Sequence, residues 1–341
     1  MFNVSILGLG NFGYALLKHL SKKQESAGNF LLYGFDNNKE LIDYLRSERR
    51  HLYHHKNVSI NGNIIFADNL KELIRVADIL ILAVPSDSIR DIIIEMKNYI
   101  RKELIILNTA KALDNTTGQR LSVVIKELLG ELSQYVQLAM LAGGTIASDL
   151  FGHEPLGVDI ASENRDILPI LKELFSTNNL NVYITDDLAG VEYAAAFKNV
   201  IAILAGIING LGFSYGSETH IISRAAGEVK RLVVNRLGGK RETFSMETQC
   251  WGNDLWMSCT GNTRNREFGV LIGKGLSAEE ALNRMKEQNK TVEGINTIKV
   301  INKIIKDDIK LYPILDTIEK IICYGYSPRE MVRELIEKKR I

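Results

Sequence analysis

Short apolar segments alternate with helical patterns through the first half of the chain, and this alternation most constrains the fold. Six segments have the length and composition of strands: residues 3–7, 30–35, 64–67, 79–84, 104–108 and 136–141. The segment at 79–84 (ILILAV) is apolar throughout, as expected for a strand buried on both faces of a parallel sheet. The alternation therefore predicts an α/β fold with a doubly wound parallel sheet.

The pattern changes near residue 185. From residue 187 onward, helical periodicities predominate and strand signals are nearly absent. We therefore predict two domains: a sheet domain over residues 1–185 and an all-helical domain over residues 186–341.

The most apolar segment, residues 191–211, raises the question of a membrane helix. Glu192, Lys198, Asn199 and Asn209 interrupt it, and the uncharged part after Lys198 is shorter than the roughly 20 apolar residues that a spanning helix needs. We predict a buried helix and no membrane span.

Composition narrows the class of partner and the compartment. The formal net charge is +1 over 341 residues, so no strong field attracts the chain to nucleic acid or to a lipid surface. The three cysteines are few and odd in number, which indicates a reducing compartment. No N-terminal signal peptide or zinc-ligand spacing is evident. We expect a cytoplasmic protein with no nucleic-acid partner and no metal site.

A glycine-rich motif follows the first predicted strand and opens the first helix. It has the form GxGxxG, and in this position it is typical of the dinucleotide-binding Rossmann fold. The first glycine allows a tight turn, the second lets the backbone approach a pyrophosphate, and the third lets helix and strand pack closely. The predicted cofactor contacts here are Gly8, Gly10, Asn11, Phe12 and Gly13.

Asp36 ends the second predicted strand, at the place where an acidic side chain binds the adenine ribose of the cofactor. No arginine follows in Asn37-Asn38 to pair with a ribose phosphate, so the sequence favours NAD over NADP. Pro85 ends the fourth strand and is a further predicted cofactor contact. The alternative interpretation of the glycine motif and Asp36 is a glycine turn followed by a turn-forming aspartate, without a cofactor.

Two lysines occupy unusual positions. Lys198 lies in an apolar helix beside small residues such as Ala202 and Gly206, which leave room for a close neighbour or for a ligand. A lysine buried there would have a lowered pKa suited to proton transfer, although it could also extend to the surface. Lys111 follows the strand at 104–108, at the sheet edge where ligands bind, or is a solvated loop lysine.

A polar loop over residues 249–266 separates two helical stretches. Arg264 offers a planar fork for a phosphate, with Asn265 and Ser258 as neutral donors. Asp254 is acidic, so it is better suited to orient a lysine than to bind phosphate. The alternative is a loop held only by its own capping hydrogen bonds.

Taken together, these segments resemble the NAD-dependent glycerol-3-phosphate dehydrogenase family over nearly the whole chain. Val84-Pro85-Ser86 and Lys111 fall in family order, and Val292-Glu293-Gly294 matches a late motif. The family's Lys-Asn-Val and Arg-Asn-Arg signatures correspond to Lys198-Asn199-Val200 and Arg264-Asn265-Arg266.

The resemblance implies a mechanism in which NADH reduces the ketone of dihydroxyacetone phosphate. It makes Lys198 the general acid and base, Asp254 the residue that orients it, and Lys111 a ligand of the substrate oxygen. It implies the following phosphate and substrate contacts: Asn199, Ser258, Arg264 and Asn265. Ala147 and Arg264 are implied as cofactor contacts, and a homodimer is expected.

Several departures from the family surround the expected substrate cleft. Residues 141–147 lack the usual proline, Asn253 replaces a glycine before Asp254, and residues 51–57 (HLYHHKN) replace the usual Tyr-Leu-Pro. They leave open a related dehydrogenase for another phosphorylated or carboxylated hydroxy compound. The histidines at 51, 54 and 55 could ligate a metal, but a polar loop is the preferred interpretation. A nucleotide-sensing protein without chemistry is disfavoured, because it needs neither Lys198 nor Asp254.

Overall fold

The computed structural model describes residues 2–288 and 290–337, and these form two compact units. The first, here called the sheet unit, runs to Ala110 and continues over Gln119–Leu188. The second, the helical unit, comprises Lys111–Gly118 and the chain from Ala189 onward. The structure therefore differs from the predicted domain division for Lys111–Gly118, which clusters with the helices rather than with the sheet that precedes it in the sequence.

The sheet unit contains one eight-stranded sheet in the order β3-β2-β1-β4-β5-β6-β7-β8. Its strands are β1 (Phe2–Leu7), β2 (Phe30–Phe35), β3 (Ile64–Phe66), β4 (Ile79–Leu82), β5 (Leu104–Asn108), β6 (Val136–Ala142), β7 (Leu156–Ala161) and β8 (Leu180–Thr185). All pairings from β3 to β6 are parallel, in the strand order of a Rossmann fold. The predicted doubly wound sheet and its first six strands are confirmed.

Two strands were not predicted, and one of them runs against the parallel prediction. β7 pairs antiparallel to β6, and β8 then pairs parallel to β7. The pattern of β7 is hidden by the buried Asp159 within it, and β8 is an edge strand whose exposed Tyr183 and Ile184 weaken its apolar signal. The sheet is therefore mostly, but not wholly, parallel.

Helices separate most successive strands of the sheet unit. They are α1 (Asn11–Ala27), α2 (Lys39–Glu48), α3 (Leu70–Val76), α4 (Ile89–Met96), α5 (Leu121–Leu129) and α6 (Leu168–Phe175). All four residues of β4 are buried, as its uninterrupted apolar sequence predicts. The carboxyl ends of β1, β2 and β4 consequently carry the glycine-rich loop, Asp36 and Pro85.

The helical unit has no strand in its described part. Its helices are α7 (Leu188–Gly210), α8 (Tyr215–Arg236), α9 (Asp254–Thr260), α10 (Arg264–Gly273), α11 (Ala278–Glu287), α12 (Gly294–Ile305), α13 (Pro313–Tyr324) and α14 (Pro328–Glu337). Helix α7 is long and apolar enough to span a membrane, but 94% of its most apolar window is buried inside the protein. It is the central helix of a folded core.

Helices α7 and α10 approach each other through glycines. A Cβ added at Gly206 would lie 2.0 Å from the carbonyl oxygen of Arg266, and one at Gly269 would lie 2.0 Å from that of Ile203. One turn further on, a Cβ at Gly210 would lie 2.4 Å from the carbonyl oxygen of Val270, and one at Gly273 would lie 2.3 Å from that of Ile207. The small residues beside Lys198 therefore make room for a close neighbouring helix, and that contact holds the start of α10 along α7.

Candidate active site

The carboxylate of Asp254 binds two lysines within the helical unit. Lys198 Nζ, from α7, lies 2.6 Å from Asp254 Oδ1, and Lys111 Nζ lies 2.8 Å from Asp254 Oδ2. Asp254 is 0% exposed and Lys198 is 5% exposed. One buried carboxylate thus faces two ammonium groups, and the structure brings together the three predicted catalytic residues. We call them the lysine–aspartate cluster.

The chain delivers Asp254 through an irregular turn. A π-helical turn over Gln249–Asn253 runs directly into α9, whose first residue is Asp254. Gly252 makes the turn possible, because a Cβ there would lie 2.0 Å from the carbonyl oxygen of Met246. Short π-helical segments recur at functional sites. Ser258 follows one helical turn later, and its Oγ accepts a hydrogen bond of 2.8 Å from Lys198 Nζ.

The surroundings of Lys198 favour a proton-transfer role. Burial lowers the pKa of Lys198; the negative charge of Asp254 opposes this shift, and the positive charge of Lys111 adds to it. Asp254 and Ser258 accept two of the three ammonium hydrogens. The third can then be offered to a substrate oxygen.

The predicted phosphate ligands lie beside this cluster, along with an acid that was not predicted as a site residue. Asn199 Nδ2 donates to Glu293 Oε2 at 3.3 Å and to the backbone oxygen of Lys111 at 3.4 Å. Arg264 is the first residue of α10, with a side chain that is 54% exposed and a guanidinium nitrogen 3.9 Å from Glu293 Oε1. Glu293 was visible in the sequence only as part of a motif.

Asn265 has a structural contact as well as a predicted ligand role. Its Oδ1 accepts a hydrogen bond of 3.0 Å from the backbone N–H of Gly294, at the start of α12. Its carbonyl therefore holds α12 in place, and only its amide N–H groups suit an anion. A phosphate near Arg264 and Asn265 would meet the acidic Glu293, so Glu293 and Arg264 together would set how much charge the site accepts.

In the sheet unit, the glycine-rich loop has the geometry that its sequence predicts. Gly8 has a φ of +90°, and a Cβ there would lie 2.7 Å from the carbonyl oxygen of Ala83. A Cβ at Gly13 would lie 1.9 Å from the carbonyl oxygen of Gly8, whereas one at Gly10 would meet no atom within 4 Å. The outer two glycines are thus required by packing, and Gly10 faces open space.

This open space suits a dinucleotide. Helix α1 begins at Asn11, and its N-cap, Gly10, supplies no side-chain cap for the first N–H groups, which are therefore available to an anion. Asp36 Oδ2 accepts from Leu9 N at 2.7 Å, and its Oδ1 accepts from Asn38 N at 3.0 Å. The carboxylate is fixed against the loop with oxygen lone pairs left for a ribose hydroxyl. The residues present fit an NAD cofactor.

Three further residues were predicted as cofactor contacts: Pro85, Phe12 and Ala147. Pro85 follows β4, and its carbonyl accepts a hydrogen bond from Ser88 N at the start of a short turn. Ala147 is buried and Phe12 is partly buried, both against the core of the sheet unit. A buried Ala147 side chain can offer a cofactor little beyond its backbone.

The histidines at 51 and 55 make contacts with the glycine-rich loop and with the start of α1. His51 Nε2 lies 2.9 Å from the carbonyl oxygen of Leu9, and His55 Nε2 lies 2.5 Å from Asn11 Oδ1. Within the described residues, no group of three or more histidine, cysteine, aspartate or glutamate side chains is arranged to hold a metal ion. The polar-loop interpretation matches these contacts.

Two family models match the chain. The model of the NAD-dependent glycerol-3-phosphate dehydrogenase N-terminus matches residues 3–168, and that of the C-terminus matches residues 187–333. The chain is 34% identical over 342 residues to glycerol-3-phosphate dehydrogenase (NAD(P)+) from Clostridium botulinum, strain Alaska E43 / Type E3, with 100% of this chain and 98% of that protein covered. This chain belongs to the NAD-dependent glycerol-3-phosphate dehydrogenase family.

Solved structures agree with this membership. Glycerol-3-phosphate dehydrogenase from Coxiella burnetii superposes with a TM-score of 0.85 at 26% identity, covering 98% of this chain and 99% of that one. The Plasmodium falciparum glycerol-3-phosphate dehydrogenase gives a TM-score of 0.89 at 21% identity, covering 97% and 94%, and supports the fold alone. The predicted family, fold class and enzyme class, an NAD-dependent dehydrogenase acting on a CH–OH group, are confirmed.

Proposed function

We propose that this protein interconverts dihydroxyacetone phosphate and sn-glycerol 3-phosphate with NADH and NAD, using Lys198 as general acid and base. The observation that carries the proposal is the buried cluster in which Asp254 binds both Lys198 and Lys111. Ketone reduction creates an alkoxide, which needs a positioned proton donor and nearby positive charge. The cluster provides both within one desolvated site.

Each residue of the cluster has a distinct role in this proposal. Lys198 donates a proton from Nζ to the carbonyl oxygen during reduction and takes it back during oxidation. Asp254 fixes both lysines, and Lys111 adds positive charge beside the developing alkoxide. Ser258 restrains the Lys198 ammonium group, so its role is closer to orientation than to phosphate binding. The nicotinamide, when bound, supplies or accepts the hydride.

The phosphate of the substrate would be held at the start of α10. Arg264 supplies a fork of N–H donors, and the amide groups of Asn265 and Asn199 supply neutral ones. Glu293 pairs with both Asn199 and Arg264, which limits the positive charge of the site.

NAD is the proposed physiological cofactor. Asp36 would bind the ribose hydroxyls, and its negative charge would repel the extra phosphate of NADP. The Clostridium relative is named as using NAD(P)+, so the preference of this chain requires its own measurement.

The test is oxidation of NADH, followed by the absorbance of the reduced nicotinamide, with dihydroxyacetone phosphate as substrate and NADPH in parallel. We expect turnover with NADH, and Lys198→Ala to lower kcat by about 1,000-fold while NADH binding is kept. Lys320→Ala is the matched control, because Lys320 pairs with Asp316 one turn away in α13. Faster turnover of another phosphorylated or carboxylated hydroxy compound would make that compound the substrate in place of dihydroxyacetone phosphate. Normal turnover by Lys198→Ala would show that Lys198 is not the proton donor.

We also propose a cytoplasmic homodimer. The three free cysteines support a reducing compartment, and the apolar helical C-terminal half is compatible with a dimer. Sedimentation of the purified protein tests the assembly, with a monomer as the contradicting result.

A further inference from the structure

A buried histidine is bonded to the middle of the glycine-rich loop. His51 is 1% exposed, and its Nε2 lies 2.9 Å from the carbonyl oxygen of Leu9. Its Nδ1 accepts hydrogen bonds from the backbone N–H groups of Tyr53 and His54, each at 3.0 Å. A ring nitrogen that accepts carries no proton, so His51 is neutral and donates from Nε2 to Leu9.

The backbone N–H and the backbone carbonyl of Leu9 are therefore both held by hydrogen bonds to side chains. Asp36 Oδ2 accepts from the Leu9 N–H at 2.7 Å, and His51 donates to the Leu9 carbonyl. Because a peptide unit is planar, holding the Leu9 carbonyl also holds the N–H of Gly10, which points the opposite way in the same unit. Gly10 is the glycine that faces open space.

The segment that carries His51 is fastened to α1 at further points. The hydroxyl of Tyr14 donates to the carbonyl oxygen of Val58 at 2.6 Å, and His55 Nε2 lies 2.5 Å from Asn11 Oδ1. His55 has a φ of +46°, a conformation that costs energy for a residue other than glycine and recurs at functional sites. We call residues 51–58 the histidine loop.

We propose that His51 is a positioning residue for the cofactor, whose neutral ring sets the direction of the Gly10 N–H that meets the pyrophosphate. The proposal rests on the proposed function, because it takes the glycine-rich loop to be the cofactor site. It adds a residue outside the glycine motif to that site and makes cofactor affinity depend on the protonation of one histidine.

Protonation of His51 is incompatible with this arrangement. A proton on Nδ1 would point at the N–H groups of Tyr53 and His54, so the ring would have to turn and release Leu9. Burial lowers the pKa of His51, an effect that the positive forms of His54 and His55 reinforce, and that the Leu9 carbonyl and Asp36 oppose. From α1, the Tyr14 ring lies roughly perpendicular to the His51 ring, with ring centres 5.2 Å apart.

Two variants separate the contacts of His51. In His51→Asn, the amide oxygen can replace Nδ1 as acceptor for the loop, but the side chain is too short to reach Leu9. In His51→Gln, the amide nitrogen can replace Nε2 as donor to Leu9, and the group does not titrate. His54→Asn is the matched control, since the His54 side chain is exposed on the same loop.

The measurement is the Kd of NADH for the full-length protein by fluorescence, at about pH 7.5 and about pH 4.5, because burial places the pKa of His51 below the ordinary histidine value. At the higher pH we expect His51→Asn to raise Kd about tenfold, the loss of one buried hydrogen bond, and His51→Gln and His54→Asn to stay within about threefold of wild type. At the lower pH we expect wild type to lose affinity more than His51→Gln does.

The outcomes separate this proposal from the function on which it rests. Failure of the wild-type protein to bind NADH would overturn the cofactor site itself. Binding by wild type with equal Kd values in His51→Asn and His51→Gln, or with the same pH dependence in wild type and His51→Gln, would overturn only the role of His51. Melting temperatures of all variants, with KM for dihydroxyacetone phosphate at saturating NADH, identify a general loss of folding, which would also count against a positioning role.

Discussion

The glycine-rich loop and the lysine–aspartate cluster use different chemical groups of the chain. The loop uses backbone groups of residues that are neighbours in the chain, and it works because side chains are missing at Gly8, Gly10 and Gly13. The cluster uses charged side chains that are 56 and 143 residues apart in the chain, and it depends on burying them together. We therefore expect the loop to fail when atoms are added and the cluster to fail when a charge is removed.

The largest expected effect is on the cluster. Asp254→Asn keeps the shape of the side chain but leaves Lys198 and Lys111 beside a neutral amide. Removing one partner of a buried ion pair costs about 3 kcal/mol or more. We expect kcat for dihydroxyacetone phosphate to fall at least about 100-fold, because Lys198 loses the charge that orients it and the single amide oxygen can replace an acceptor for only one of the two lysines. The Kd of NADH should stay near that of wild type, since the glycine-rich loop is unchanged.

A matched variant, Asp316→Asn, tests whether any loss of a lysine partner has this effect. Asp316 pairs with Lys320 at 2.9 Å within α13, outside the lysine–aspartate cluster, so Asp316→Asn should leave kcat near that of wild type. Equal kcat values for the two variants would show that the cluster does not act in catalysis.

The next effect, on the loop, comes from adding a single methyl group. Gly13→Ala would place a Cβ 1.9 Å from the carbonyl oxygen of Gly8, and backbone must move to accommodate it. Gly10→Ala would meet no protein atom, and its methyl group would enter the space proposed for the pyrophosphate. We expect Gly13→Ala to lower the melting temperature and to abolish NADH binding. Gly10→Ala should melt like wild type and bind NADH about tenfold more weakly.

Gly13→Ala and Gly10→Ala also serve as controls for each other. If both variants bind NADH as wild type does, the loop is a structural turn and not a cofactor site. If Gly10→Ala is destabilised as much as Gly13→Ala, Gly10 has a packing role that its open surroundings do not explain. Calorimetric melting with NADH titration distinguishes these results.

The difference between a loop made of chain neighbours and a cluster made of distant side chains also explains how much of each could be predicted from the sequence. The glycine-rich loop is local, so Gly8, Gly13 and the strand before them predict the turn, the close contact and the start of α1. The first six strands were predictable because strands buried on both faces are uninterrupted apolar segments. The chain direction of β7 depends on a long-range pairing with β6, which no local pattern encodes.

The cluster was predictable only in part. An isolated lysine in an apolar helix predicted something unusual at Lys198, and the family resemblance supplied Asp254 as its partner. Nothing local indicates that Glu293 lies against Asn199, or that Asn265 uses its carbonyl to hold Gly294. These contacts arise from the packing of α7, α10 and α12, and glycines such as Gly206 and Gly269 determine how closely the first two of these helices approach.

The effect expected to be smallest on turnover and on cofactor binding sharpens the comparison through the pH dependence of stability, and it concerns a buried acid in the helical unit. Glu228 of α8 is 3% exposed and accepts hydrogen bonds from the backbone N–H groups of Ile314 and Leu315, so it caps the start of α13. Burial raises the pKa of Glu228 to about 7, against the opposing effects of these N–H groups and of Arg231 and Arg224.

Because the folded-state pKa of Glu228 lies above the unfolded value, the folded protein holds this proton more tightly between the two pKa values. The contribution to the free energy of unfolding is therefore fully present below about pH 4.5 and is lost as the pH rises through about 7, a change of about 3 kcal/mol. Buried His51 and His19 in the sheet unit have lowered pKa values, so their contribution to the free energy of unfolding is lost in the opposite direction, as the pH falls. Glu228→Gln keeps an acceptor for α13 and cannot titrate. Urea unfolding at about pH 5 and about pH 8 should show that wild type loses more stability at the higher pH than Glu228→Gln does; an equal loss in both proteins would mean that Glu228 is already ionised in the fold and that its cap is a charged one.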